Sequence, residues 1–118
     1  MKYLVLLIVM SLIIGGCIFD PEEDVITSVK YEITGSAGKV NITYENSGGN
    51  TSQLSDVPLP WTYSFNVKEG NYTFLYVSAQ NQGNTGSVTT KIYFDSKVAE
   101  TSTSSGAYVI ATASTSIE

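Results

Sequence analysis

Apolar and polar residues alternate with a period of two over most of the chain beyond Val25. Val29, Tyr31 and Ile33 alternate with Lys30, Glu32 and Thr34, and Val40, Ile42 and Tyr44 alternate with Asn41, Thr43 and Glu45. Alternation of this kind marks strands with one buried face. Gly35-Ser36-Ala37-Gly38 separates the two runs, which predicts a hairpin. Asn46 to Asp56 is polar around Gly48-Gly49-Asn50 and predicts a long exposed loop. Val57-Pro58-Leu59-Pro60 lacks ladder donors at its prolines, so it belongs at a sheet edge or at a crossing between sheets.

Trp61, Tyr63, Phe65 and Val67 then share one face of the strongest alternating run, opposite Thr62, Ser64, Asn66 and Lys68. Glu69-Gly70-Asn71 makes the next turn. From Tyr72 to Ala79 both faces are apolar or aromatic, which predicts a central strand covered on both sides. Gln80-Asn81-Gln82-Gly83-Asn84 turns the chain, and Val88, Thr90, Ile92 and Phe94 resume the alternation. Asp95-Ser96-Lys97 leads into Val98 to Thr103, and Ser104-Ser105-Gly106 leads into a closing segment from Ala107 to Ala113. About seven short strands with this turn spacing predict an all-β, antiparallel, immunoglobulin-like β-sandwich, with its core centred on Trp61 and the aromatic strand.

The pattern before Val25 is different. Tyr3 to Ile14 is one apolar run behind Lys2. About a dozen residues suit the hydrophobic region of a signal peptide. As a helix they would reach only about 18 Å, against a hydrocarbon core of about 30 Å. Ile14-Gly15-Gly16-Cys17 follows and resembles a lipoprotein lipobox, in which the cysteine is alkylated by a diacylglycerol and becomes the mature N-terminus. The expected organisation is a signal peptide over 1–16, lipidated Cys17 with an acidic tether over 17–26, and a β-sandwich domain over 27–118. Two acyl chains suffice for stable anchoring where one does not. Asp20-Pro21-Glu22-Glu23-Asp24 reads as an extended spacer, since it lacks the glycine turn and ligand spacing of a Ca²⁺ loop.

Composition narrows the function. The net charge of −5 repels nucleic acid and anionic surfaces, so no nucleic-acid partner is expected. Cys17 is the only cysteine, and once lipidated it leaves no thiol for a disulfide or metal site. Histidine and arginine are absent, which removes the usual neutral-pH acid/base group and the bidentate reader of phosphate. Glu32, Glu45, Asp56, Glu69 and Asp95 are scattered over different segments, and the serines have no evident general base. No catalytic residues, no metal site and no cofactor are expected.

Three kinds of surface chemistry remain. Asn41-Ile42-Thr43, Asn50-Thr51-Ser52 and Asn71-Tyr72-Thr73 fit the N-glycosylation pattern, with Asn50 the most accessible. Tyr31, Tyr44, Tyr93 and Tyr108 are candidates for a partner surface, because tyrosine tolerates partial exposure and anchors interfaces. The set Trp61, Tyr63, Phe65, Tyr72, Phe74 and Tyr76 reads first as sandwich core and second as a groove for lipid or glycan.

The segments Val29-Lys30-Tyr31-Glu32-Ile33-Thr34-Gly35-Ser36-Ala37, Ile42-Thr43-Tyr44, Leu59-Pro60-Trp61, Val77-Ser78-Ala79-Gln80 and Lys91-Ile92-Tyr93-Phe94-Asp95 follow one another in an order and spacing that resembles the mycobacterial membrane protein small (MmpS) family. These are transport-accessory proteins of large RND-type lipid exporters. The resemblance covers nearly the whole mature domain, with Leu-Pro-Trp its most specific step. It implies an extracytoplasmic β-sandwich held at a membrane by its N-terminus, and a polytopic transporter as partner. It also implies a transmembrane anchor, where this chain has a lipobox, and a cysteine pair across the late strands, where Thr90 and roughly Ala111 stand here. A surface binding or adhesion module working through loops 46–56 and 80–86, and a structural envelope lipoprotein, are the competing expectations.

Overall fold

Period-two alternation becomes strand throughout. The computed structural model describes residues 25–70 and 72–118, so the leader, the lipobox and the acidic spacer lie outside the described residues. Among the described residues eight strands form: β1 (Ile26–Thr34), β2 (Lys39–Glu45), β3 (Thr51–Pro58), β4 (Trp61–Lys68), β5 (Thr73–Asn81), β6 (Ser87–Phe94), β7 (Lys97–Ser105) and β8 (Ile110–Ile117). They pair antiparallel in two four-stranded sheets, β4-β1-β6-β7 and β3-β2-β5-β8, which pack as a sandwich. No described helix is long and apolar enough to cross a membrane.

The hairpin expected from β1 and β2 does not form. The two strands lie in different sheets, and Gly35 to Gly38 is the corner between them. Gly35 takes φ +139° and lies against the start of β6, where a β-carbon on it would sit 2.2 Å from the Ser87 carbonyl oxygen. The Ala37 N–H donates to that carbonyl (3.1 Å), and the Ser87 N–H donates to Ser36 Oγ (3.0 Å). The expected loop over 46–56 is also corrected. Only Asn46–Asn50 is loop, and from Thr51 the chain pairs with β2 as an edge strand. Most side chains of β3 face solvent, so it carries no apolar period to read. Its ladder is interrupted by a register shift opposite Val40/Ile42, where Asp56 takes φ +57° and donates its N–H to Asn41 Oδ1 (3.0 Å). Val57 and Pro58 end this edge strand, where a missing proline donor is tolerated, and Leu59-Pro60, joined by a cis bond, crosses to the other sheet.

The core contains Val29, Tyr31 and Ile33 of β1, Val40, Ile42 and Tyr44 of β2, Leu75, Val77 and Ala79 of β5, and Val88 and Ile92 of β6. Its centre is Tyr31, not Trp61: Trp61, Tyr63 and Phe65 are half-buried along edge strand β4, and their rings pack inward on Tyr31 and Tyr44. β5 is central but covered on one face only, with Phe74 and Tyr76 turned outward. Along the β7–β8 side the facing residues are small. Ala111 and Ala113 are buried, and Thr90 of β6 and Ala111 of β8, where the resemblance places a cysteine pair, are both fully buried.

Strand direction divides the loops between two ends. Val25 enters at the end that holds loop 46–50, residues 69–70 and residues 95–96, while loops 35–38, 82–86 and 106–109 lie at the far end. At the far end Asn81 is fully buried with its amide satisfied. Nδ2 donates to the Thr85 and Gly106 carbonyls (2.8 and 3.0 Å), and Oδ1 accepts from the Gly83 N–H (2.8 Å).

Candidate interaction surfaces

The four tyrosines considered as partner surface divide into two pairs. Tyr31 and Tyr44 are core residues, because both stand on the inward parity of their strands. Tyr31 Oη donates to the Glu45 carbonyl (2.8 Å) and accepts from the Tyr76 N–H (3.4 Å), joining β1 to two strands of the opposite sheet. Burial is the main reason its hydroxyl is pushed up to about 12, partly opposed by the bond from Tyr76. Tyr93 and Tyr108 reach the surface. Tyr108 is exposed in the far-end loop at φ +55°.

Tyr93 sits on the outer face of the first sheet, half-buried by its neighbours. Its hydroxyl donates to Glu32 Oε1 (2.6 Å), and Lys30 Nζ lies 4.6 Å from its ring centre. The bond to Glu32, then burial and the Glu32 charge, raise its pKa. In the ladder Tyr93 pairs with Lys30 and with exposed Val98, and Glu32 pairs with Lys91. This face is therefore an ordered mosaic of charge, one clamped aromatic and exposed aliphatic groups, close to the end where Val25 and exposed Ile26 enter.

The outer face of the second sheet has a different chemistry. Thr43, Ser78 and Thr112 lie abreast in register, as do Asn41, Gln80 and Ile110, and Tyr76 pairs with Ser114 and Phe74 with Ser116. Phe74 and Tyr76 are stacked at 6.1 Å between ring centres, and Tyr72 continues the row beyond the strand. Tyr72 and Phe74 are 66% and 47% exposed, which corrects the reading of the whole aromatic set as core. Beside them opens a cleft of about 430 Å³ whose other wall is Glu45 and loop 46–50.

That wall is held by its own hydrogen bonds. Asn46 Oδ1 accepts from the N–H groups of Gly48 (2.9 Å) and Asn50 (3.2 Å), its Nδ2 donates to Ser52 Oγ (2.7 Å), and its backbone N–H donates to the Asn50 carbonyl (2.8 Å). Tyr63 Oη bonds with Ser47 Oγ (3.3 Å) and accepts from the Ser47 N–H (3.1 Å), and these two groups, as donors to the phenolate, lower the Tyr63 pKa. Thr51 Oγ1 donates to Glu45 Oε2 at 2.5 Å. A single asparagine organising a five-residue loop was not foreseen from the sequence, although Asn-x-Gly-Gly-Asn is a signal for such an Asx-turn.

Of the sequons, Asn50 is exposed in this loop, Asn41 is half-buried with its Oδ1 engaged by Asp56, and Asn71 lies outside the described residues, as does Cys17. Among the described residues no three acidic or sulfur ligands gather into a metal-sized group. A family model described as Mycobacterium membrane protein matches residues 16–116. No curated protein matches the chain.

Proposed function

The chain belongs to the Mycobacterium membrane protein (MmpS) family, and from that membership we propose that it is a non-enzymatic, membrane-held domain that serves a polytopic, RND-type transporter as an accessory subunit. The family match is the observation that carries this reading. The anchor in it is Cys17, lipidated on the extracytoplasmic face, with 1–16 removed as the signal peptide. From Cys17 to Val25 an extended chain reaches at most about 28 Å, so the sandwich stays close to membrane-embedded partners.

The docking surface in this reading is the outer face of the first sheet around Tyr93 and Val98. Two features support it. Tyr93 is fixed by Glu32 and Lys30 before any partner arrives, which limits the entropy lost on binding. Interspersed charges of both signs suit a protein surface, where electrostatic complementarity selects the partner.

The test is a pull-down of the tagged full chain from solubilised membranes, read by mass spectrometry, with Cys17→Ala and Val98→Glu as variants. Recovery of one polytopic transporter by the parent chain, lost in Val98→Glu and weakened in Cys17→Ala, is the expected result. Recovery of none by the parent chain sinks the accessory reading. Equal recovery by Val98→Glu moves the docking surface elsewhere.

A further inference from the structure

The two outer faces of the sandwich differ in a way the transporter reading does not use. Lys30, Glu32 and Lys91 occupy the first. On the second, the central positions are hydroxyls and amides: Thr43, Ser78 and Thr112 in one row, Asn41 and Gln80 in the next, with exposed Ile110 at that row's end. Its aromatics are confined to the row formed by Tyr72, Phe74 and Tyr76. We propose that this face binds a neutral glycan, seated on the aromatic row and gripped at its edge by Glu45 and loop 46–50.

Alternate residues on a strand stand about 6.7 Å apart, so the three rings extend over about 13 Å. Phe74 and Tyr76 stack with their planes 28° apart and their centres 6.1 Å apart, and Tyr72 and Phe74 are the more exposed rings of the row. A sugar ring has one weakly polar C–H face and a rim of hydroxyls. The rings match the first, and neutral donors and acceptors around them match the second. Glu45 adds a carboxylate held in place by Thr51, and an ionised carboxylate accepts two neighbouring hydroxyls through its two oxygens. The loop opposite Tyr72 and Phe74 is braced by Asn46 and Tyr63, so the 430 Å³ cleft exists before a ligand enters.

Other ligands fit the face less well. An acyl chain needs a concave apolar wall on several sides, and here the apolar surface is one aromatic row with Ile110 apart from it, separated by hydroxyls and amides. An added peptide strand needs a free sheet edge, and β5 is paired on both sides, with β2 and β8. An acidic glycan would be repelled by the net charge of −5.

The experiment is native electrophoresis of the full chain in detergent, through gels containing a neutral β-glucan, an α-mannan, a galactan or, as control, acidic alginate. Retardation by at least one neutral polymer and none by alginate is expected. The double variant Tyr72→Ala/Phe74→Ala should lose about tenfold in apparent affinity, as truncation of aromatic anchors does. Its urea midpoint should fall only slightly, because Tyr72 is mostly exposed and Phe74 about half so, and the variant should remain folded. Glu45→Gln should lose less. Retardation by no neutral polymer, retardation by alginate alone, or equal retardation of the double variant and the parent chain overturns the proposal. None of these outcomes bears on the Val98→Glu pull-down, so the two readings fail separately.

Discussion

Two buried polar residues should respond to substitution with opposite signs. Asn81 and Thr90 are both fully buried, but Asn81 makes three hydrogen bonds to backbone groups of the far-end loops, while Thr90 Oγ1 has no partner among the described residues. Asn81→Ala removes those bonds and leaves two carbonyls and an N–H without their partner, which costs about 2–4 kcal/mol. Thr90→Val replaces an unpaired hydroxyl by a methyl of nearly the same shape, and should stabilise by about 1–2 kcal/mol. Urea denaturation of the two single variants measures both. A lower midpoint for Thr90→Val would show that its hydroxyl is satisfied in solution.

At the scale of elements, the corner between β1 and β2 was hidden in the sequence by its resemblance to a hairpin turn. Alternation says which face of a strand is buried, but a four-residue connection carries no sign of whether the next strand pairs alongside or faces it across the core. The cue was Ala37, 6% exposed inside a run of turn residues. Gly35 is the part of this corner that tolerates no side chain, whereas a β-carbon on Gly38 would meet nothing within 4 Å. Gly35→Ala should therefore lose about 3 kcal/mol or more, through backbone strain and collision with the Ser87 carbonyl. Gly38→Ala should fall within about 0.5 kcal/mol of the parent. Thermal unfolding of the pair checks this, and equal losses would mean that the corner rearranges. Edge strand β3 was illegible for another reason. Its solvent-facing side chains remove the period on which the reading depends, leaving Val57 and the prolines as its only marks. The aromatics show a third limit. Tyr31 and Tyr44 have the correct inward parity, yet tyrosine's amphipathic character favoured a surface reading. Phe74 has outward parity, yet its chemistry favoured the core.

For the whole molecule, the dependence of stability on pH follows from the tyrosines. The chain has no histidine, so no imidazole titration tilts the curve near neutral pH. Tyr31 dominates the alkaline side: its hydroxyl is neutral in the core, with burial raising its pKa to about 12 from tyrosine's ordinary 10.0. Because the folded pKa lies above the unfolded one, the full contribution of neutral Tyr31 is present below about pH 10. Between about pH 10 and 12 the unfolded chain ionises first and is favoured by roughly 2–3 kcal/mol. Tyr93, also raised, acts in the same direction, and Tyr63, lowered by its bonds with Ser47, acts against it. Urea midpoints should thus fall steeply from pH 10 to 12. Tyr31→Phe separates the causes. At pH 7 it should cost about 1–2 kcal/mol, since the Glu45 carbonyl loses its donor. Above pH 10 its curve should be flatter than the parent's and the gap between the two should close, because the substituted side chain has no proton to lose. If the variant retains the parent's alkaline slope, the loss belongs to surface tyrosines or lysines, and the bridge from Tyr31 to the opposite sheet is not what high pH breaks.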